Sequence, residues 1–270
     1  MLANISDFDP DYDSVELENL QEIDKFALFK LNNLQEKALK AYNDFNFFVI
    51  YHAVHNFCIV DMSNFYFDVV KDRLYCDSKN SLSRRAVQTT LFLILDLFVK
   101  IVAPIISFTA EEIWKLMPHK KNCDIESVFF NSMNERINLN LSETFLKKWS
   151  FAEKLRSAAQ KVLEIEREKK NIGSSLESRI EIYCKTEEAS SLINQFSTKE
   201  LVNLFLVSGV EVKKEAAGVH KFENLGVELS VLKPYGKKCE RCWNYDISVG
   251  CHSEFVSLCD RCVEVVKELK

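Results

Sequence analysis

Cys239-Glu-Arg-Cys-Trp243 and Cys259-Asp-Arg-Cys262 are two C-x-x-C knuckles with sixteen residues between Cys242 and Cys259. Each knuckle can present two sulfurs on one tight turn, and two of them closing on Zn2+ complete a tetrahedron with no vacant position. That is the geometry of one structural zinc held by Cys239, Cys242, Cys259 and Cys262, and no hydrolytic water is expected on it. Two disulfides or four idle thiols would require both knuckles and their separation to coincide by chance. Cys251 and His252 lie between the knuckles, but four thiolates already fill the shell.

The chain has 270 residues, 47% of them hydrophobic, with only 6 Gly and 4 Pro. Sandwiches and barrels need frequent turn residues, so this composition predicts long helices. Nine cysteines, an odd number, argue against a disulfide framework and for a reducing cytoplasm. The start lacks a basic region followed by an apolar one, and the most apolar stretch, Leu91 to Phe108, is broken by Asp96, Lys100 and Pro104. A soluble, cytoplasmic protein with no membrane partner is expected. The formal net charge of -5 means that any polyanion would have to meet a local basic surface. Acidic residues crowd the first twenty-five positions, whereas Lys71, Arg73, Lys79, Arg84 and Arg85 gather further on. Taken alone, such a basic run reads as a solvated helix terminus more readily than as a phosphate site.

Apolar residues from Leu17 to Ala38 recur at three- and four-residue steps, which predicts an amphipathic helix from Ser14 to about Asn43. A second, more deeply buried helix is predicted from Phe45 to Tyr75 because its many aromatics fall at helical spacing. A third runs from Ser83 to Val102, where Pro104 must end or kink it. Thr109 and Glu112 read as a capping box opening a fourth helix that reaches Met117. Residues 119–142 read as a loop, and Glu143 to Lys170 as a last long helix. Arg179 to Cys184, Leu201 to Val212 and Leu225 to Leu232 are β-branched runs, with a helical piece from Glu187 to Phe196. The expected fold is therefore mainly α. It comprises a helical bundle over residues 1–142, a long helix with a small α/β junction subdomain over 143–232, and a four-cysteine zinc tail over 233–270.

No catalytic signature emerges. His52 and His55 stand at i, i+3 without a carboxylate or a third histidine to complete a metal site, and among Tyr51, Val54 and Phe57 they read as core or groove histidines. There is no nucleophile elbow, G-x-G-x-x-G loop or P-loop. Trp243 directly after a zinc ligand and beside Arg241 would suit a stacking platform for unpaired bases. It would equally suit a cap on the small zinc core, and the residues alone leave both readings open.

Four segments together resemble a known family: Asn64-Phe-Tyr-Phe-Asp-Val-Val-Lys-Asp-Arg-Leu-Tyr75, Ala103-Pro-Ile-Ile-Ser-Phe-Thr-Ala-Glu-Glu-Ile-Trp114, Lys169-Lys-Asn-Ile-Gly-Ser-Ser-Leu-Glu177 and the paired knuckles. The chain resembles the C-terminal portion of the bacterial isoleucyl-tRNA synthetases, which are class I aminoacyl-tRNA synthetases. The resemblance implies a class I type of anticodon-binding helical domain, a junction and a zinc-binding tail, acting as a monomer on the anticodon stem-loop of isoleucine tRNA. By the same resemblance, Lys71, Arg73, Arg84 and Arg85 would meet the tRNA backbone, and Trp243, Arg241 and Arg261 the splayed loop bases. The family's adenylate-forming domain, which uses ATP, carries a His-x-Gly-His type signature and a Lys-Met-Ser-Lys-Ser type loop. His52-Ala-Val-His55 and Asp61-Met-Ser-Asn64 match neither. The expectation is a tRNA-recognition fragment without the catalytic and editing domains, inactive alone in charging tRNA for protein biosynthesis. Two other readings are a DNA glycosylase, whose zinc finger can share this spacing but which needs a Pro-Glu start, and a zinc-stapled interaction module without a nucleic-acid role.

Overall fold

The first long helix, α1 (Glu22–Asn43), starts where Gln21 and Asp24 form a reciprocal capping box, not at Ser14 as its periodicity predicts. Tertiary contacts hold the preceding residues out of the helix. The Val15 N–H donates to Thr89 Oγ1 at 3.0 Å, and Arg84 donates to both Asp7 carboxylate oxygens at 2.9 and 3.0 Å. The computed structural model describes residues 1–133, 136–214 and 219–268, and the chain divides into two units, Met1–Asn140 and Leu141–Lys270. None of the described helices is long and apolar enough to cross a membrane.

In the first unit, α2 (Phe47–Asn56) continues through a π-helical stretch, Phe57–Tyr66, into α3 (Phe67–Cys76). The run is helical as predicted, but it is not uniformly buried. Ile50 is the one buried residue of α2, while Phe47, Phe48 and Tyr51 are exposed. Burial resumes in the π stretch, where Phe57 and Met62 share a face, as i→i+5 hydrogen bonding requires. His52 and His55 are exposed beside the rings of Phe48 and Tyr51, so they are not core histidines. Next, α4 (Leu82–Val102) is capped by Ser81, whose side chain accepts from the Arg84 N–H. Then α5 (Ser107–Leu116) starts two residues before Thr109 with no side-chain cap. The expected Thr109–Glu112 box does not form, because Ile106 O already accepts the Ala110 N–H at 2.9 Å. Buried Leu28 and Leu31 from α1, Leu91 and Ile94 from α4 and Trp114 from α5 form the core.

Polar side chains are buried in that unit, Asp96 and Lys100 as an ion pair at 2.9 Å among them, and one polar cluster joins several of its helical segments. Asp24, 0% exposed, accepts from Arg73 Nη1 and Nη2 at 2.9 and 2.7 Å and from the Tyr66 hydroxyl at 2.8 Å. Arg73 also donates from Nε to Ser83 Oγ and from Nη2 to Ser83 O. Burial opposes the Arg73 charge, yet the Asp24 carboxylate more than offsets it and holds the guanidinium above its ordinary pKa. Burial, with the same carboxylate adding to it, pushes the Tyr66 phenol well above its usual range.

The second unit begins with α6 (Glu143–Glu168), capped by Ser142. It packs on a four-stranded sheet of order β2-β1-β4-β3. The strands are β1 (Arg179–Cys184), β2 (Gly209–Lys213), β3 (His220–Phe222) and β4 (Val227–Leu232). Parallel β1 and β2 are joined through α7 (Glu187–Ile193) and α8 (Thr198–Phe205), while β4 runs antiparallel to β1 and β3. The run Leu201 to Val212 is thus not one strand: its first half is helical, set by a Ser197–Glu200 capping box, and Leu206 at φ 57° ends that helix. Arg156 of α6 donates to Leu204 O, and Lys148 Nζ sits 4.3 Å from the Phe196 ring centre. The tail adds a hairpin, β5 (Lys237–Lys238) with β6 (Tyr245–Asp246), and a helix, α9 (Asp260–Glu268).

Two outcomes test the polar core and the acidic anchor. Arg73→Met strands a buried carboxylate, and urea unfolding should show a loss of about 3 to 5 kcal/mol. Asp7, hydrogen-bonded and charge-paired to Arg84, is lowered from its ordinary 3.8 to about 2. Its stabilisation is therefore complete above pH 3.8 and lost as pH falls through about 2. Melting curves across that window should show a smaller stability loss for Asp7→Asn than for the unsubstituted chain.

Candidate metal centre and nucleic-acid surface

The tail builds its cysteine cluster from two kinds of turn. Hairpin β5–β6 carries the first knuckle: the Cys239 N–H donates to Asn244 O and the Trp243 N–H to Cys239 O, both at 2.9 Å. Gly236 sets the approach, because at φ +78° a Cβ there would lie 2.2 Å from Asp246 O. The second knuckle opens α9. Cys259 precedes its first residue, Cys262 sits in its first turn, and the Val263 N–H donates to Cys259 O. A helix N-terminus favours negative charge, which suits thiolates placed there.

All four cysteines are buried, and their sulfurs lie within 4.8 Å of one another. Cys242 and Cys259 Sγ are 3.8 Å apart, far beyond a disulfide bond of about 2.05 Å. With Zn–S bonds of about 2.3 Å, the edge of a sulfur tetrahedron is about 3.8 Å. Cys239, Cys242, Cys259 and Cys262 therefore fit zinc, which would supply a structural crosslink. A hydrogen bond from Cys262 lowers the Cys242 thiol to about 4, burial raises Cys259 to about 11, and the hydrogen bond to Cys242 raises Cys262. Crowded thiols cannot all ionise unless a cation neutralises them, so metal uptake must release protons. Outer contacts already suit thiolates: the Cys259 N–H points to Cys239 Sγ at 3.4 Å and Arg241 Nη1 to Cys262 Sγ at 3.6 Å. Cys251 is exposed with its sulfur toward Ile247 O, and His252 pairs with Asp260 at 2.6 Å; neither joins the cluster.

Of the expected nucleic-acid contacts, Trp243 is the one left open to a partner ring. It is 62% exposed, so it does not cap the zinc core. Its backbone lies at φ 64°, a left-handed conformation that costs a side-chain-bearing residue about 1 kcal/mol or more. Lys238 Nζ stands 5.8 Å from its ring centre. Arg241 and Arg261 are half-buried beside the cysteines. The first donates to a ligand sulfur, and the charge of the second helps to lower the Cys242 thiol, so both serve the cluster first.

The basic run is corrected more sharply. Arg73 is only 4% exposed and is spent on Asp24 and Ser83; no phosphate can reach it. Arg84 pairs with Asp7 and also donates to Leu74 O and Lys79 O. Arg85 meets Asp13, Asp7 O, Gln88 and Asn80. With side chains 15% and 11% exposed, these arginines anchor the acidic N-terminal segment, and their charges are met within the chain. Lys71 is exposed, in an ion pair with Asp68 at 2.5 Å. The signal that could have revealed this was already in the sequence: an acidic run and a basic run on one chain can neutralise each other.

Replacing Cys239 and Cys242 by Ser should abolish stoichiometric zinc and unfold the tail while leaving the helical signal of Met1–Asn140 in place, as read by metal analysis and circular dichroism. Reversal of Arg84 to Glu should lower the melting temperature by disrupting the Asp7 anchor, without flattening the salt dependence of any RNA binding.

Residues 24–182 match the family described as the anticodon-binding domain of tRNA ligase, and residues 236–265 match the zinc finger found in FPG and IleRS. The chain is 43% identical over 272 residues to an isoleucine–tRNA ligase of Caldicellulosiruptor saccharolyticus and 41% identical over 269 to one of Syntrophotalea carbinolica. The corresponding protein of Petrotoga mobilis is 37% identical over 268 residues. Each match covers 99% of this chain but only 28% or 29% of the relative, so the chain spans under a third of the length of these curated relatives. With a zinc finger match over a buried four-cysteine cluster and a match to the first family over more than half its length, the chain belongs to the anticodon-binding domain family of tRNA ligases.

Proposed function

We propose that this chain is the tRNA-recognition part of an isoleucine–tRNA ligase. In this reading it grips the anticodon stem-loop of isoleucine tRNA in the cytoplasm, as a monomer, while other segments use ATP to charge the tRNA. The observation that carries the reading is the alignment of 99% of the chain with isoleucine–tRNA ligases, with the anticodon-binding and zinc finger matches in sequence order within it. One structural zinc held by Cys239, Cys242, Cys259 and Cys262 gives the tail the rigidity that recognition needs, since so short a segment has little apolar core of its own.

Within the tail, Trp243 is the base-stacking residue of this proposal. A bulky ring held exposed in a left-handed backbone gains no packing that would offset its strain, and strain of that kind collects at functional sites. A second aromatic surface, formed by exposed Phe47, Phe48 and Tyr51, lies on α2 of the first unit. On α3, Lys71 stays exposed beside its partner Asp68 as a candidate backbone contact, with Arg73, Arg84 and Arg85 withdrawn.

Filter binding of isoleucine tRNA and of an unrelated tRNA across a salt series tests the reading. Preferential, salt-sensitive binding of the first is expected, and absence of affinity for either at low salt would overturn it in favour of the interaction-module alternative. Trp243→Ala should weaken binding by about 1 to 3 kcal/mol. Trp243→Gly should weaken it similarly while leaving the zinc-loaded tail as stable or more so, because glycine accepts the left-handed backbone. A loss of stability in the glycine variant would instead return Trp243 to a packing role.

A further inference from the structure

Helix α6 sorts its cations by face. Lys148 and Arg156 point inward, against Phe196 and Leu204. Lys147, Lys154 and Lys161 are exposed and form no ion pair or hydrogen bond among the described residues. Seven-residue steps drift by only about 20° per heptad, so the three stand in one row. Neighbours in the row are about 10.5 Å apart along the axis, and the row is about 21 Å long. Ser150 and Ser157, also exposed, fall between the lysines on the same side. Glu143 precedes the row by one turn and Glu168 follows it by two. Between those ends no acidic residue falls on it: Glu153 lies about 100° round the helix from Lys154, and Glu164, on the flank, is paired with Arg167.

We infer that this row is a surface for the sugar–phosphate backbone of a paired RNA stem. The inference rests on the RNA-recognition reading above and adds to it the face of the protein and the part of the RNA. Residues 24–182, which match the anticodon-binding family, include the whole of α6. The arginines of the basic run in the first unit are already neutralised within the chain. A face that only has to be solvated carries both signs interspersed. Three lysines in line, on a chain of formal net charge -5, instead hold a positive strip against the overall balance. Each ammonium is a compact charge suited to a phosphate, and a serine hydroxyl between two of them can donate to a further backbone oxygen. Base stacking has no platform here, since Ile165 is the one large apolar residue exposed on α6. An unpaired strand would therefore gain charge contact alone, whereas a duplex holds its phosphates at fixed places that a row on a rigid helix can meet together.

The test follows binding of the full, zinc-loaded chain to the anticodon stem-loop of isoleucine tRNA and to an unpaired oligonucleotide of the loop sequence, across a salt series. Replacing Lys147, Lys154 and Lys161 together by Gln should weaken stem-loop binding at low salt by about tenfold or more. The slope of log affinity on log salt should become shallower by about 2 to 3, each single replacement removing about 1. Binding of the unpaired oligonucleotide should keep its slope, and zinc stoichiometry and melting temperature should stay as they were. A control with Lys37, Lys40 and Lys115, exposed on α1 and α5, replaced by Gln changes net charge equally and should leave the stem-loop slope in place. A slope that the row variant does not move would overturn the RNA surface and leave the row to an acidic protein partner. Equal flattening in the control, or for the unpaired strand, would overturn the stem contact. In each of these cases the RNA reading stands; if the unsubstituted chain binds neither RNA, both fall.

Discussion

Asp24 has no exposed surface, and both its oxygens are held by Arg73. That pair dictates much of how the first unit can be arranged. A carboxylate removed from water is tolerated only when it is fully paired. The first turn of α1 therefore has to lie against α3, with Tyr66 from the π-helical stretch completing the group. Arg73 extends the constraint to α4 through Ser83. Because a buried ion pair contributes little net stability but is costly to break, its effect is on arrangement: other packings of these apolar helices would strand a charge. One turn outward the same logic recurs in wetter surroundings, where Arg84 and Arg85 draw in Asp7 and Asp13.

For the proposed RNA-recognition function, internal neutralisation of this kind decides which cations could meet RNA. A guanidinium that already holds a bidentate carboxylate would have to exchange it for a phosphate, with little net gain. Cations that form no ion pair with a carboxylate among the described residues stand elsewhere as well, Lys237 and Lys238 on the tail hairpin among them. There the chemistry is arranged the other way round: cysteine sulfurs and the arginines beside them form an inner group, and lysines and an exposed indole form the outer one. The inner group has to be rigid for the outer one to be of use. Crosslinking four sulfurs through one ion is the means by which a short chain achieves that.

What could be read in the sequence follows from which signals are local. The cysteine knuckles were legible because ligand spacing is a property of a few consecutive residues, and the structure brings those same four sulfurs together. Helices whose limits are set by local chemistry, such as α4 behind Ser81 and α6 behind Ser142, were legible to within a residue or two. The start of α1 was not, because Ser14 to Leu20 carries a helical pattern that a tertiary contact, the Val15 N–H to Thr89 Oγ1, overrides. Nor was the exposure of Phe47, Phe48 and Tyr51, since a row of aromatics carries no mark of whether another surface covers it. The basic run misled for a related reason. Charge read along a chain does not say which partner it has met, and here the partner of Arg84 was 77 residues upstream in the same chain.

The scarcity of glycine hid a further feature. Phe45, Lys170 and Leu206 close α1, α6 and α8 in the left-handed region, at φ 53°, 60° and 57°, the position glycine most often takes at a helix end. Each strained residue is explained there by carbonyls that must be satisfied, as when the Asn46 and Asn171 N–H groups reach back to Ala41 O and Glu166 O. Asn140, at φ 44°, belongs to the residue type that tolerates this region best after glycine. Trp243 is different. It ends no helix, it buries little of its ring, and its N–H bond to Cys239 O would be made equally well by glycine. It shares with Phe45, 81% exposed at φ 53°, a large ring that the fold leaves uncovered. In the reading proposed above, its presence answers to what the indole meets outside the chain.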